Sequence, residues 1–156
     1  MRTLRYRLMP ILILFSLSNF FGQNRITSAE LKDIKQEASS LANRWVHAWN
    51  GHIDCEKMMG LYDADMKYVW RGVSPPRNYN GFKSFVEEKL VGQSNYDLSI
   101  SNIDITVIDK DSAIVFLHFN DKNDSPYGSG AASLIMVKKD VGWKIIYVHE
   151  SSVENQ

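Results

Sequence analysis

The sequence predicts a single α+β domain, and three observations carry that prediction. An amphipathic helical stripe begins near Thr27, the second half of the chain alternates as β-strands do, and short turn-like links join those strands. Thr27-Ser28-Ala29-Glu30 has the spacing of a capping box, in which the Thr27 hydroxyl takes the Glu30 amide and the Glu30 carboxylate reaches back. From there Leu31, Ile34, Ala38, Leu41, Ala42, Trp45 and Trp49 recur at three- and four-residue spacing. A long helix with one apolar stripe therefore runs to about Asn50-Gly51, and that stripe needs a sheet to cover it.

Asp54 can cap a second, short helix through Glu56, Met58, Met59 and Leu61, and Asp63-Ala64-Asp65 separates it from a strand over 66–70. Pro75-Pro76-Arg77-Asn78-Tyr79-Asn80-Gly81 interrupts both periodicities and reads as a loop that delivers the chain into a third helix over 82–90. Beyond Tyr96 the texture is β. Leu98, Ile100, Ile103, Ile105 and Val107 mark one strand, 113–119 the next, 134–137 another and 142–151 the last. The links Asp109-Lys110-Asp111 and Asp140-Val141-Gly142 are tight enough to require antiparallel neighbours.

The final strand is the most informative segment. Side chains two apart share a face, so Trp143, Ile145, Tyr147, His149 and Ser151 form one face, apolar at its start and able to handle protons at its end. This face is expected inward, towards Trp45 or Trp49, where it would floor a pocket. Lys144, Ile146, Val148 and Glu150 form the other face, whose Ile146 and Val148 make a small apolar patch that a second subunit would cover. A homodimer through the sheet is expected on that ground.

Arg2, Arg5 and Arg7 precede an apolar run over 8–17, the pattern of a signal peptide over 1–22 with cleavage between 18 and 24, leaving a domain over 23–156. A run of roughly ten residues is too short to span a bilayer, which needs about 20. The expected address is secreted or periplasmic, with no membrane association once the signal is removed. The sole cysteine, Cys55, excludes an internal disulfide and lies too far along for a lipid anchor. The chain balances 18 basic against 18 acidic residues, and loss of the three arginines leaves an excess of acid, so no nucleic-acid surface is expected. About 130 mature residues, in a chain that is 44% hydrophobic, suffice for one real core.

Among side chains that carry chemistry, His149 stands first, because a neutral imidazole can act as base or donor near pH 7, with Tyr147 and Ser151 beside it on the strand. Asp63 and Asp65 form a carboxylate pair; buried, either could be a proton-transfer group, whereas turn and cap chemistry is their ordinary use. Trp45, Trp49, Tyr62, Trp70 and Tyr79 supply apolar walls with polar tips for a ligand, and Tyr68, Phe82 and Phe85 extend the same aromatic set. No metal site is expected. His47 and His52 straddle a helix end, His118 is on a distant strand, and Asp121-Lys122-Asn123-Asp124-Ser125 opens like a calcium loop but places Pro126 where glycine is needed. No cofactor is expected either.

The order of Arg44-Trp45-Val46-His47-Ala48-Trp49, Met59-Gly60-Leu61-Tyr62-Asp63-Ala64-Asp65, Asn80-Gly81-Phe82, Gly142-Trp143-Lys144-Ile145 and His149-Glu150-Ser151 resembles the SnoaL-like branch of the nuclear transport factor 2-like superfamily. The resemblance covers the chain beyond the signal peptide and implies a curved antiparallel sheet wrapped around the long helix, with two shorter helices: a cone with an internal pocket. Similar proteins include ketosteroid isomerases, polyketide cyclases and dehydratases, so fold alone does not give function. The favoured expectation is a small apolar or aromatic ligand held in the cone, without an assignable activity. The alternatives are an isomerase, cyclase or dehydratase using His149 or Asp65 as general base, and a homodimeric association module.

Overall fold

Thr27 caps the first helix as its spacing requires: its Oγ1 accepts the Glu30 amide at 3.2 Å and the Glu30 carboxylate accepts the Thr27 amide at 2.8 Å. The computed structural model describes residues 26–70, 75–91, 96–123 and 128–153. The expected signal peptide and its cleavage range lie outside the described residues. Helix α1 spans Ser28–His47 and buries Ile34, Ala38, Leu41, Ala42, Trp45 and Val46. It ends earlier than the apolar stripe does, so Trp49 sits in the turn that follows and Leu31 stays largely exposed at the other end. Helix α2, Cys55–Met59, is capped by Asp54, whose Oδ1 accepts the Lys57 amide at 3.1 Å. Strand β1 is Tyr62–Trp70.

The proline-rich segment contains what its composition concealed, a two-residue strand β2, Arg77–Asn78, paired antiparallel to β1. Both prolines precede the paired residues, so no ladder amide is lost. Helix α3 is Tyr79–Lys89, capped by Asn78. The rest is a meander of β3 (Leu98–Asp109), β4 (Ser112–Asp121), β5 (Ser129–Lys139) and β6 (Gly142–Val153). The six strands lie in the order β2-β1-β6-β5-β4-β3, antiparallel except for the β1·β6 pair. Helix α1 packs across β3, β4 and β6, so the sheet curves around it, and the core lies between them.

Strand β6 departs from strict alternation. Met136 pairs with Ile145, yet the next residue of β5, Ile135, pairs with Tyr147, which leaves Ile146 as an extra residue in a β-bulge. A one-residue slip moves every later side chain to the other face. Trp143 and Ile145 are buried as the period-two reading expects, but beyond the bulge it is Val148 and Glu150 that are buried. Tyr147 is half-buried on the outer face, with His149 and Ser151 exposed there. Val148 therefore belongs to the core rather than to an outer patch, and the outer apolar patch is built instead by Ile114, Phe116, Ile135 and Tyr147.

Candidate functional site

The turn after α1 positions the first wall of the site. Asn50 Oδ1 accepts the Leu98 amide at 2.7 Å, Asn50 Nδ2 donates to the Leu98 carbonyl at 3.0 Å, and the Gly51 amide donates to the Tyr96 carbonyl at 3.1 Å. Gly51 holds φ at 60°, a conformation costly for other residues. This clamp ties the end of α1 to the start of β3 and brings Trp45 and Trp49 beside Tyr96 and Leu98. The opposite wall comes from β1 and α3: the Tyr68 and Phe82 rings stack at 4.2 Å, and Trp70 meets Phe85 at 6.2 Å.

Between these walls lies a cavity of about 100 Å³, lined by Trp45, Trp49, Tyr68, Trp70, Phe85, Leu90, Tyr96, Leu98, Phe119, Gly128 and Glu150. Its space follows from small residues on β5, because Glu150 faces Ala132 across the ladder and the next inward position is Gly130. Gly130 is required there: a Cβ would lie 2.2 Å from the Ser151 carbonyl oxygen. Asp121 packs against Gly128 near the cavity and accepts the amides of Asp97 at 2.8 Å and Asn123 at 3.1 Å, holding the neighbouring loops in place.

Among the described residues, the one carboxyl group in the cavity is that of Glu150, and it accepts a hydrogen bond from the Tyr68 hydroxyl. Burial pushes Glu150 up to about 7, with the Tyr68 bond acting the other way. Burial likewise raises Tyr68 well above the ordinary tyrosine value, the Glu150 charge adding to it, so Tyr68 stays a hydrogen-bond donor. Tyr62 is also raised by burial, and its hydroxyl accepts from Trp45 Nε1 at 2.7 Å. A carboxyl poised near neutrality inside an apolar cavity can give or take a proton at pH 7.

Of the residues picked out from sequence, Trp45, Trp49 and Trp70 line this cavity, joined by Tyr68 and Phe85 from the wider aromatic set. Tyr62 is buried behind it, and Tyr79 packs half-buried against the core at the start of α3. Tyr147, His149 and Ser151 are on the other side of the sheet, because the bulge at Ile146 turned them outward. Asp65 is exposed, and Asp63 accepts the Asp65 amide at 3.1 Å and pairs with Lys139 at 3.4 Å, which hold it below the usual carboxylate range. The pair performs turn chemistry. Sequence reasoning missed Glu150, Leu90, Tyr96, Leu98, Phe119 and Gly128; the signal for Glu150 was the adjacent apolar pair Ile145-Ile146, where two period-two phases can exchange. Among the described residues no three His, Cys, Asp or Glu side chains converge as a metal site, and no helix is long and apolar enough to cross a membrane.

No curated protein matches the sequence. Solved structures share the fold. A protein from Novosphingobium aromaticivorans provisionally assigned as a scytalone dehydratase superposes with a TM-score of 0.68 at 14% identity, over 81% of this chain and 89% of the other. A provisionally assigned ketosteroid isomerase from Parabacteroides distasonis gives 0.59 at 16% identity, over 74% and 85%. A cystatin-like fold protein from Burkholderia xenovorans gives 0.61 at 17% identity, over 80% and 95%. At such identities these likenesses concern the fold, a helix wrapped by a curved sheet. Residues 39–154, which include every residue lining the cavity, match the SnoaL-like domain. The chain thus belongs to the SnoaL-like domain family, within the nuclear transport factor 2-like fold.

Proposed function

We propose that this domain, exported by the basic and apolar segment at its start, holds a small and mostly apolar molecule inside the cone, with the ligand's polar end at Glu150 and Tyr68. The observation that carries the reading is a buried carboxyl, the one among the described lining residues, in a mainly aromatic and apolar cavity. A buried carboxyl without a ligand-directed purpose is costly, whereas an apolar pocket with one or two placed polar groups is the usual form of a small-molecule site. Three of the chain's four tryptophans line the cavity, so an entering ligand alters tryptophan emission. Native mass spectrometry of protein purified without denaturation tests the reading: a retained small molecule, displaced by Glu150→Gln or Trp49→Ala, supports it. A cavity closed by its own side chains in a ligand-free crystal, with no mass retained, overturns it.

A second reading is favoured by one observation, the burial of the Glu150 carboxyl against the Tyr68 hydroxyl, which pushes it up to about 7. Glu150 would then be a general base next to a carbonyl, with Tyr68 as its hydrogen-bonded partner, the chemistry of an isomerase or dehydratase. Butanone is small enough to probe this. Deuterium incorporation beside its carbonyl in heavy water, above the buffer rate and abolished in Glu150→Gln, is the expected result, and a rate equal to buffer removes the catalytic reading while leaving the binding one intact.

A further inference from the structure

The chemistry of the cavity selects for charge as well as for apolarity. Trp45, Trp49 and Trp70 line the cavity, and indole is the side chain with the strongest attraction for a cation. Trp45 meets Trp49 at 75° with centroids 6.2 Å apart and meets Phe119 at 72° and 6.4 Å, so the rings enclose the space as angled walls and do not stack into one slab. Among the described residues that line the cavity, Glu150 is the one carboxylic acid, and none is Lys, Arg or His. Among these residues an anionic ligand would find a carboxyl and aromatic rings, and no basic side chain to pair it.

We propose that the ligand's head group is an alkylated ammonium, held by the aromatic walls and by the Glu150 carboxylate as its counter-ion. This rests on the reading of the cone as a ligand pocket and names the class of molecule it takes. The cavity is about 100 Å³, which limits its occupant to a compact group. Hydrogen bonding agrees. A primary ammonium brings three N–H donors that need acceptors, whereas the side-chain oxygens among the described lining residues are those of Glu150, Tyr68 and Tyr96, and the first two are already bonded to each other; alkylation removes the donors and keeps the charge.

The same geometry makes binding pH-dependent. The groups around Glu150 are Tyr68 and Tyr62 from β1 and Tyr96 ahead of β3, all raised by burial and so neutral throughout the relevant range. Asp121, at the end of β4, acts on Tyr96. Arg77 of β2 sits 4.2 Å over the Phe85 ring and outside the lining, near enough to Tyr68 to be felt there. The residues that line the cavity from α1 and α3 are uncharged. Among the described residues that line the cavity, Glu150 is the group left to titrate, and a cation binds its ionised form, so affinity rises with pH up to about 7 and levels off above it.

The test compares choline and tetramethylammonium with 3,3-dimethylbutan-1-ol, the uncharged carbon isostere of choline, using tryptophan emission and calorimetry on the full domain at pH 6 and pH 8. The cations are expected to bind at least about tenfold tighter than the alcohol at pH 8, and about tenfold tighter there than at pH 6, with a proton released at pH 6. Glu150→Gln is expected to lose this preference and its pH dependence while still binding the alcohol, which shows that the variant remains folded. Alcohol binding as tight as choline at both pH values overturns the cation assignment and leaves the pocket reading standing. If neither compound binds, both readings fall.

Discussion

Replacing Glu150 with glutamine should make the protein more stable at alkaline pH, and the size of the gain follows from the carboxyl's surroundings. Glu150 is 8% exposed, and its pKa moves from an ordinary 4.5 to about 7 on folding. A raised acid binds its proton more tightly in the folded state, so the stability present below pH 4.5 is lost as pH climbs through about 7. At about 1.4 kcal/mol per pH unit the loss amounts to about 3 kcal/mol. Glutamine has the same shape, carries no charge at any pH, and offers its amide oxygen to the Tyr68 hydroxyl that Glu150 now accepts. Urea unfolding followed by tryptophan emission should therefore give similar stabilities for the two proteins near pH 4.5 and a variant about 3 kcal/mol more stable at pH 8. A difference that is flat with pH, or a variant less stable at pH 8, would mean that burial does not raise the Glu150 carboxyl. A natural sequence that keeps such a charge sacrifices stability at this position, as binding and catalytic sites commonly do.

Gly130→Ala should cost about 1–3 kcal/mol, because its Cβ would meet the Ser151 carbonyl oxygen at 2.2 Å and push β5 from β6; an unchanged melting temperature contradicts that register. Trp45→Phe keeps most of the ring but removes the 2.7 Å bond to the buried Tyr62 hydroxyl, with a loss of about 1–3 kcal/mol expected in urea unfolding and a neutral result counting against the bond. The proposed homodimer would use the outer sheet face, where the ladder sets Asp104, Phe116, Ser133 and His149 in one row and Thr106, Ile114, Ile135 and Tyr147 in the next. A twofold axis along the strands between β4 and β5 places Asp104 against His149 and the large Phe116 over the small Ser133 of the copy. Light scattering should find a dimer that Phe116→Glu dissociates, and a wild-type monomer at high micromolar concentration removes the claim.

Local rules were legible where one residue decides one bond. The Thr27 capping box and the Asp54 cap formed as their spacing dictates, and the helical stripe from Ile34 to Trp45 went into the core. The meander followed from turn chemistry, since Gly142, with φ at 100°, closes the last hairpin. What the sequence could not disclose was the phase of β6 after Ile145. Both phases carry apolar side chains, Tyr147 in one and Val148 in the other, and each ends in a polar group, so alternation alone does not choose between them. The choice is made by partners far along the chain: Leu134 and Met136 on β5 and Tyr68 on β1 fix which side is core. Expectations built on the unbroken phase put His149 in the pocket; the bulge put Glu150 there instead. The aromatic lining was easier to find, because tryptophans at helical spacing and at a strand end point to the core in either phase.

The claim on which the rest depends is that Glu150, and not His149, is the ionisable group inside the cone. Carbon-13 NMR of the side-chain carboxyl, assigned by its disappearance in Glu150→Gln, measures this directly. The account predicts a titration midpoint of about 7, with the His149 ring unaffected by ligands that shift the Glu150 signal. A Glu150 midpoint near the ordinary 4.5, together with His149 signals that move when ligand enters, would contradict it.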